Sequence, residues 1–442
     1  MTYNPCQPCF IRSVDSSVNW IERDAAVVWH GFTQMDCYRD NAPVVVERGE
    51  GRELIDVDGK RYLDAISSLW VTTLGHRVPE LDAALIEQLQ RVAHSTLLGN
   101  GNRIVVEFAE ALARVVPVDR PRVMFASDGA ASVEQALKIA FQYWKNRGVN
   151  GRTSYLAFGS AYHGDTVGSL SLGHDGFGSD LFGALRFPVL RAPSFADADA
   201  LTRAAAMVRE NWERLAAVVV EPLVQGAAGM LVAEPDAFGA LGAACAETGV
   251  LLICDEVATG FGRTGTLFAS EQCRLRPDLL CLGKGITGGY LPMSATVAAQ
   301  HVHEAFLGPD LSSKTFYHGH SYGGNALAAA VALKHLQLIE STQILANVRA
   351  RSLQLRSALG ELIRPHPAVT AIRIAGLMAA VELDAGGDSL RARRVCAAMV
   401  RRGVLSRSMG SVVTLVPPLT ITEQEIRTIV AVLQSALLEV CA

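Results

Sequence analysis

At 442 residues the chain is long enough for two or three domains and a large buried core. Half of it is hydrophobic and its formal net charge is only −4, which argues against a nucleic-acid or anionic-surface binder. No window holds the roughly 18 uninterrupted apolar residues of a membrane span, and MTYNPCQPCFIRSVD at the N-terminus lacks a signal-peptide core, so the chain reads as cytoplasmic.

In chain order, Val44 to Ala65 (VVVERGEGRELIDVDGKRYLDA) reads as hairpin-like strands around a turn at Asp58 and Gly59. VMFAS, Val123 to Ser127, reads as a strand. It leads into a helix that sets Val133, Leu137, Phe141 and Trp144 on one face. SYLAF, AAVVVEP, LLICDEV, LLCLGK and MSATVA continue as short apolar runs bounded by Gly, Pro or charge. Strands alternating with helices predict an α/β domain with a mainly parallel sheet. After about residue 330 the pattern turns to helices and antiparallel-looking strands. The last helix is expected to open on a Thr422–Glu425 capping box, with Ile421 and Ile426 as a hydrophobic staple. The expected division is a small α+β domain made from residues 1–70 and 330–442, packed on a large domain of 71–329.

Two of these runs carry chemistry. LLICDEV delivers Asp255, and LLCLGKG delivers Lys284, each where a buried strand breaks into a loop. Ligands of open α/β sheets bind outside the carboxyl ends of the strands. A lysine and an acid there suit pyridoxal phosphate: the lysine carries the cofactor covalently, and the carboxylate keeps its pyridine nitrogen protonated. A phosphate needs N–H groups at a helix N-terminus, and Ser127-Asp128-Gly129-Ala130-Ala131 lies between a strand and a helix. Alone it reads as an ordinary turn; beside the lysine and acid it reads as the phosphate site. Asp128 is awkward there, because a carboxylate repels a phosphate dianion unless it turns away to cap the helix. Tyr162, in AYHGDT, is either a neighbour of the cofactor or a core residue. GKGITGG is not a Walker loop, since Asp278 stands where the first glycine belongs and Gly285 replaces the hydroxyl residue.

The nine cysteines are scattered and form no disulfide framework. Cys245, Cys254, Cys281 and Cys396 read as small core residues. Cys6 and Cys9 form a lone CxxC, and the pairs His301/His303 and His318/His320 read as loop histidines rather than metal ligands. The RARR run, Arg391 to Arg394, reads as an exposed helix face.

DEVATGFGRTG followed by CLGKG resembles the class III aminotransferases of pyridoxal phosphate fold type I. WHGFTQM, AISSLW, AHSTLLG, AYHGDT, VEPLVQGAAGM, FYHGHSYGGN and LSRSMG with LVPP are similar to the branch acting on 8-amino-7-oxononanoate, with S-adenosylmethionine or lysine as amino donor. The resemblance implies that Lys284 is the Schiff-base lysine, Asp255 the pyridinium partner and Tyr162 the residue stacked on the ring. It makes Gly129 and Ala130 the phosphate turn, and Ser321 a hydroxyl reaching the phosphate from the second subunit of a homodimer. Phe32, Trp70, Gly319 and Arg407 become substrate contacts, with Arg407 on the acceptor's carboxylate; by its own residues Arg407 reads as a surface arginine. Phe32 stands where many members have Tyr, and Leu69-Trp70 where they have a Trp pair, as in the lysine-using branch. Rival readings are another class III ω-amino acid or diamine aminotransferase, an aminomutase, or a non-catalytic protein of the same fold, which only Asp128 supports.

Overall fold

The computed structural model describes residues 19–173 and 179–441. Cys6, Cys9 and the N-terminal segment read above for a signal peptide lie outside the described residues.

The large sheet has seven strands in the spatial order Arg122–Ala126, Ser294–Ala298, Leu279–Leu282, Leu251–Asp255, Leu215–Val220, Ser154–Phe158 and Leu190–Ala192. All neighbours pair in parallel except Ser294–Ala298, which runs against both its partners. Leu215–Val220 and Leu251–Asp255 are buried at every position, which is why they read as unbroken apolar runs rather than alternating ones. Cys245, Cys254, Cys281 and Cys396 are buried in the core, as expected of small apolar residues.

The Gly129–Asn146 helix packs on this sheet through Val133, Ala136, Leu137, Ala140 and Trp144. Phe141 departs from the expected face: it is 39% exposed, with Lys145 Nζ 5.4 Å from its ring centre. The small Ala136 and Ala140 hold the middle of the buried arc, and Phe141 falls on its rim.

Val46–Glu50, Glu53–Asp56 and Arg61–Asp64 form an antiparallel sheet, with Gly59 (φ 82°) in the expected turn. Val404–Leu405 adds a parallel strand to Arg61–Asp64. Near its two ends the chain is therefore joined by backbone hydrogen bonds. A second four-stranded antiparallel sheet runs Val369–Ala375, Met378–Leu383, Val412–Leu415, Arg407–Met409. One apolar cluster joins Leu63 and Ala65 to residues from Ile344 to Leu437. The last helix, Glu423–Val440, has the capping box of Thr422 and Glu425, and Ile421 and Ile426 are fully buried beside it.

Candidate active site

Asp255 ends its strand buried, and each of its carboxylate oxygens is engaged. Oδ1 accepts the Val257 N–H at 3.0 Å, and Oδ2 lies 2.7 Å from His163 Nδ1. Lys284 follows the adjacent strand and opens a one-turn 3-10 helix, Lys284–Thr287, with φ at 44°. A left-handed backbone costs a non-glycine residue roughly 1–2 kcal/mol, so packing must hold the lysine there. Burial lowers the Lys284 pKa from the ordinary lysine value, against the opposing pull of Asp255 and Glu221. A desolvated, more readily neutral lysine is the better nucleophile.

These side chains meet in one cavity of ≈ 480 Å³. Its wall includes Lys284, Asp255, Tyr162, Trp70, Gly129 and Ala130, six of the ten residues expected at the site. Asp128 caps the helix: Oδ1 accepts the Ala131 N–H at 2.9 Å, and Oδ2 accepts the Ser127 hydroxyl at 2.8 Å. Asp128 itself lines the cavity, with its carboxylate tied to the helix end by these two bonds. At the first two helical positions the Gly129 and Ala130 N–H groups precede the helix's own acceptors, and both residues line the cavity. Glycine is required at 129 because a Cβ there would lie 2.5 Å from Val257 Cγ1. The loop after Asp255 packs directly on the helix start.

Tyr162 is half-buried, its hydroxyl donates to Asp165 Oδ2 at 3.0 Å, and burial raises its phenol's pKa. Its N–H donates to Glu221 Oε2 at 3.2 Å. The Trp70 ring centre is 5.0 Å from Lys284 Nζ, and its buried indole Nε1 has no hydrogen-bond partner in the described residues.

Four expected residues lie outside this cavity. Phe32 is 61% exposed, and Gly319, Ser321 and Arg407 are also exposed. The Ser321 carbonyl accepts from His94 at 2.8 Å, and neighbouring His320 reaches Ser127 Oγ at 2.9 Å, so this loop lies against the helix-start turn. The histidine pairs also have partners: His301 meets Asp278 at 3.1 Å, and Lys138 Nζ meets His318 at 3.0 Å.

Two buried titratable residues of the cavity were not singled out from sequence. His163 lies beside Tyr162 in AYHGDT, and its contact with Asp255 spans 92 positions. Glu221 directly follows the strand next to that of Asp255 and is pushed up to about 7 by burial, with Asp255 adding to the rise. The same signal that exposed Asp255, an acid ending an apolar run, was present in AAVVVEP.

The family profile for aminotransferase class III matches residues 35–437. The chain belongs to the class III aminotransferases. It is therefore a pyridoxal phosphate-dependent aminotransferase of fold type I. It is 44% identical over 440 residues to the adenosylmethionine-8-amino-7-oxononanoate aminotransferase of Nitratidesulfovibrio vulgaris, covering 94% of this chain and 81% of the relative. The crystal structure of the enzyme of that name from Methanocaldococcus jannaschii superposes with TM-score 0.91 at 36% identity, covering 95% of this chain and 99% of the other. A PLP-bound amine transaminase from an uncultivated Pseudomonas species gives 0.88 at 32%, covering 94% and 99%. The residues present suit this family's cofactor: a buried acid, a partly buried lysine and the first two residues of a helix share one cavity, with an unpartnered indole N–H in its wall.

Proposed function

We propose that this aminotransferase converts 8-amino-7-oxononanoate to 7,8-diaminononanoate in biotin biosynthesis, with S-adenosylmethionine as amino donor. The observation that carries the reading is the shared name of relatives 36–44% identical over nearly the whole chain, from bacteria and an archaeon. When bound, pyridoxal phosphate supplies an electron sink for the substrate's amine-bearing carbon.

In this reading Lys284 first holds the cofactor, then, released by the donor, moves the proton at the substrate carbon. Asp255 keeps a proton on the ring nitrogen; His163 and the Val257 N–H fix its carboxylate. The Gly129 and Ala130 N–H groups hold the phosphate, Tyr162 confines the ring, and Trp70 walls the substrate side. Arg407 binds the acceptor's carboxylate through its planar fork. Phe32 and Gly319 complete the substrate rim. Ser321 serves the phosphate of a second copy, so the working unit is a homodimer, in the cytoplasm. Residues 1–70 and 330–442 act as one small domain over 71–329, a division supported by the apolar cluster that joins Leu63 and Ala65 to the C-terminal third.

The test is product analysis by mass spectrometry. Purified holoenzyme is given 8-amino-7-oxononanoate with S-adenosylmethionine or with L-lysine. The diamine is expected with S-adenosylmethionine. Its formation with lysine alone reverses the donor assignment. No diamine with either, together with turnover of simple ω-amino acids, assigns the protein to the amine transaminases.

A further inference from the structure

Ser67, Ser68, Leu69 and Trp70 all have positive φ, at 52°, 46°, 70° and 68°. Single residues visit this region, mostly glycine, but a run of four without glycine is strained throughout. The run is a turn of left-handed helix: Trp70 N–H donates to the Ile66 carbonyl at 2.8 Å and Val71 N–H to the Ser67 carbonyl at 2.9 Å. Such a turn persists only where its surroundings over-determine it.

Asp64 is the group that does so. Its carboxylate is completely buried and receives four contacts. Oδ1 accepts the Ile66 and Ser68 N–H groups, both at 3.2 Å, and Oδ2 meets the Ser68 hydroxyl at 3.1 Å and His76 Nε2 at 3.0 Å. The Ser67 hydroxyl pins the other side, donating to the Val416 carbonyl at 2.6 Å. The turn's last residue is Trp70, whose ring packs on Gly226; a Cβ there would stand 3.1 Å from Trp70 Cζ3. A right-handed turn would carry the indole elsewhere.

We propose that Asp64 is a positioning residue for transamination, clamping this left-handed turn so that Trp70 walls the substrate side of the cavity beside Lys284. It touches no reacting atom and acts through Trp70. The carboxylate suits the task because it accepts several hydrogen bonds at once, two of them from the turn's own backbone.

The test uses holoenzyme and two readouts. The near-UV circular dichroism of Trp70 is taken as wild type minus Trp70→Phe. Steady-state kinetics follow 8-amino-7-oxononanoate with S-adenosylmethionine. Asp64→Ala is expected to lose the Trp70 signal and raise KM roughly tenfold or more, with kcat within about threefold. Asp64→Asn, whose amide oxygen still accepts both N–H groups, is expected to restore most of each.

An Asp64→Ala protein that keeps the Trp70 signal and KM overturns the proposal, as does one losing kcat alone. Should Asp64→Ala not fold, Ser68→Ala removes one clamp contact at an exposed residue. It is expected to weaken the signal and raise KM about threefold, and no change in either is equally fatal. The kinetic arm rests on the substrate reading above, whereas the spectroscopic arm does not. A protein inert toward 8-amino-7-oxononanoate that still loses the Trp70 signal in Asp64→Ala refutes the substrate and leaves the clamp standing.

Discussion

The buried frame of the site and its exposed rim are built differently. Asp255, Glu221 and Lys284 end or follow adjacent strands of one sheet, and each is held by contacts within the chain. Phe32, Gly319, Ser321 and Arg407 stand exposed on loops and an edge strand. The frame lies within one chain, its three residues lining a single cavity. The rim is where donor, acceptor and second subunit would be read. Changes in the frame should therefore strike kcat, and changes in the rim KM.

The largest effect should come from Lys284→Ala. If Lys284 is the proton-moving amine, its loss lowers kcat roughly 10²- to 10⁴-fold, while thermal denaturation of the protein stays near wild type. Retained turnover with this variant would remove the lysine from the mechanism. Asp255→Asn should follow. A carboxylate beside a pyridinium raises the ring pKa by about one to three units, worth about 1.4–4 kcal/mol, so kcat should fall between about tenfold and a thousandfold. A loss in KM alone would move Asp255 from the frame to the rim.

Asp255 and Lys284 were legible because each closes an unbroken apolar run with a charge, whereas Glu221 carries the same mark after AAVVV and was passed over. Other features carried no such mark. The direction of Ser294–Ala298 is absent from its composition, since an apolar strand buried on both faces reads alike either way. The Ser67–Trp70 turn contains no glycine to announce positive φ; its cause is Asp64, a contact visible only after folding. His163 meets Asp255 from 92 positions away. Phe141 was misplaced because helical spacing finds the apolar face but not the edge at which packing stops. The rim residues are exposed, so neither local pattern nor burial singles them out, and resemblance alone pointed to them.

A pH test probes the frame's cost to the fold. Burial pushes Glu221 from an ordinary carboxylate value of 4.5 up to about 7, and likewise to about 7 Glu256, the buried residue after Asp255, outside the cavity lining, whose carboxylate accepts the Ala269 and Ser270 N–H groups at 2.6 and 2.9 Å. An acid whose folded pKa is raised binds more protons in the native state. Stability is therefore greatest below pH 4.5 as far as these two groups are concerned, and falls as pH rises from 4.5 through about 7. Each contributes on the order of 3 kcal/mol to that fall. Glu221→Gln, which imitates the neutral acid, should remove about half of the slope in denaturant unfolding followed across this window. An unchanged slope would mean that Glu221 is ionised in the native protein without penalty. Gly129→Ala should cost roughly 1–3 kcal/mol by overpacking, since its Cβ would meet Val257 Cγ1 at 2.5 Å. Val257→Ala in the same protein should recover most of the loss. Failure of that rescue would place the strain in the backbone rather than against Val257.

The smallest effect should be at Arg407, and it separates frame from rim most directly. Arg407 is exposed on the edge strand Arg407–Met409, and its backbone carbonyl accepts from Thr414 Oγ1 at 2.7 Å. That bond fixes where the strand lies without using the guanidinium. Arg407→Lys keeps the charge but loses the planar fork that holds a carboxylate by two bonds. If the acceptor's carboxylate is bound there, KM for 8-amino-7-oxononanoate should rise about tenfold, the worth of one charge-assisted hydrogen bond. The KM of a donor that does not use this arginine and the unfolding midpoint should not move. A matching fall in kcat would instead place Arg407 with the frame. No change at all would return it to the ordinary surface arginine that its residue context suggests.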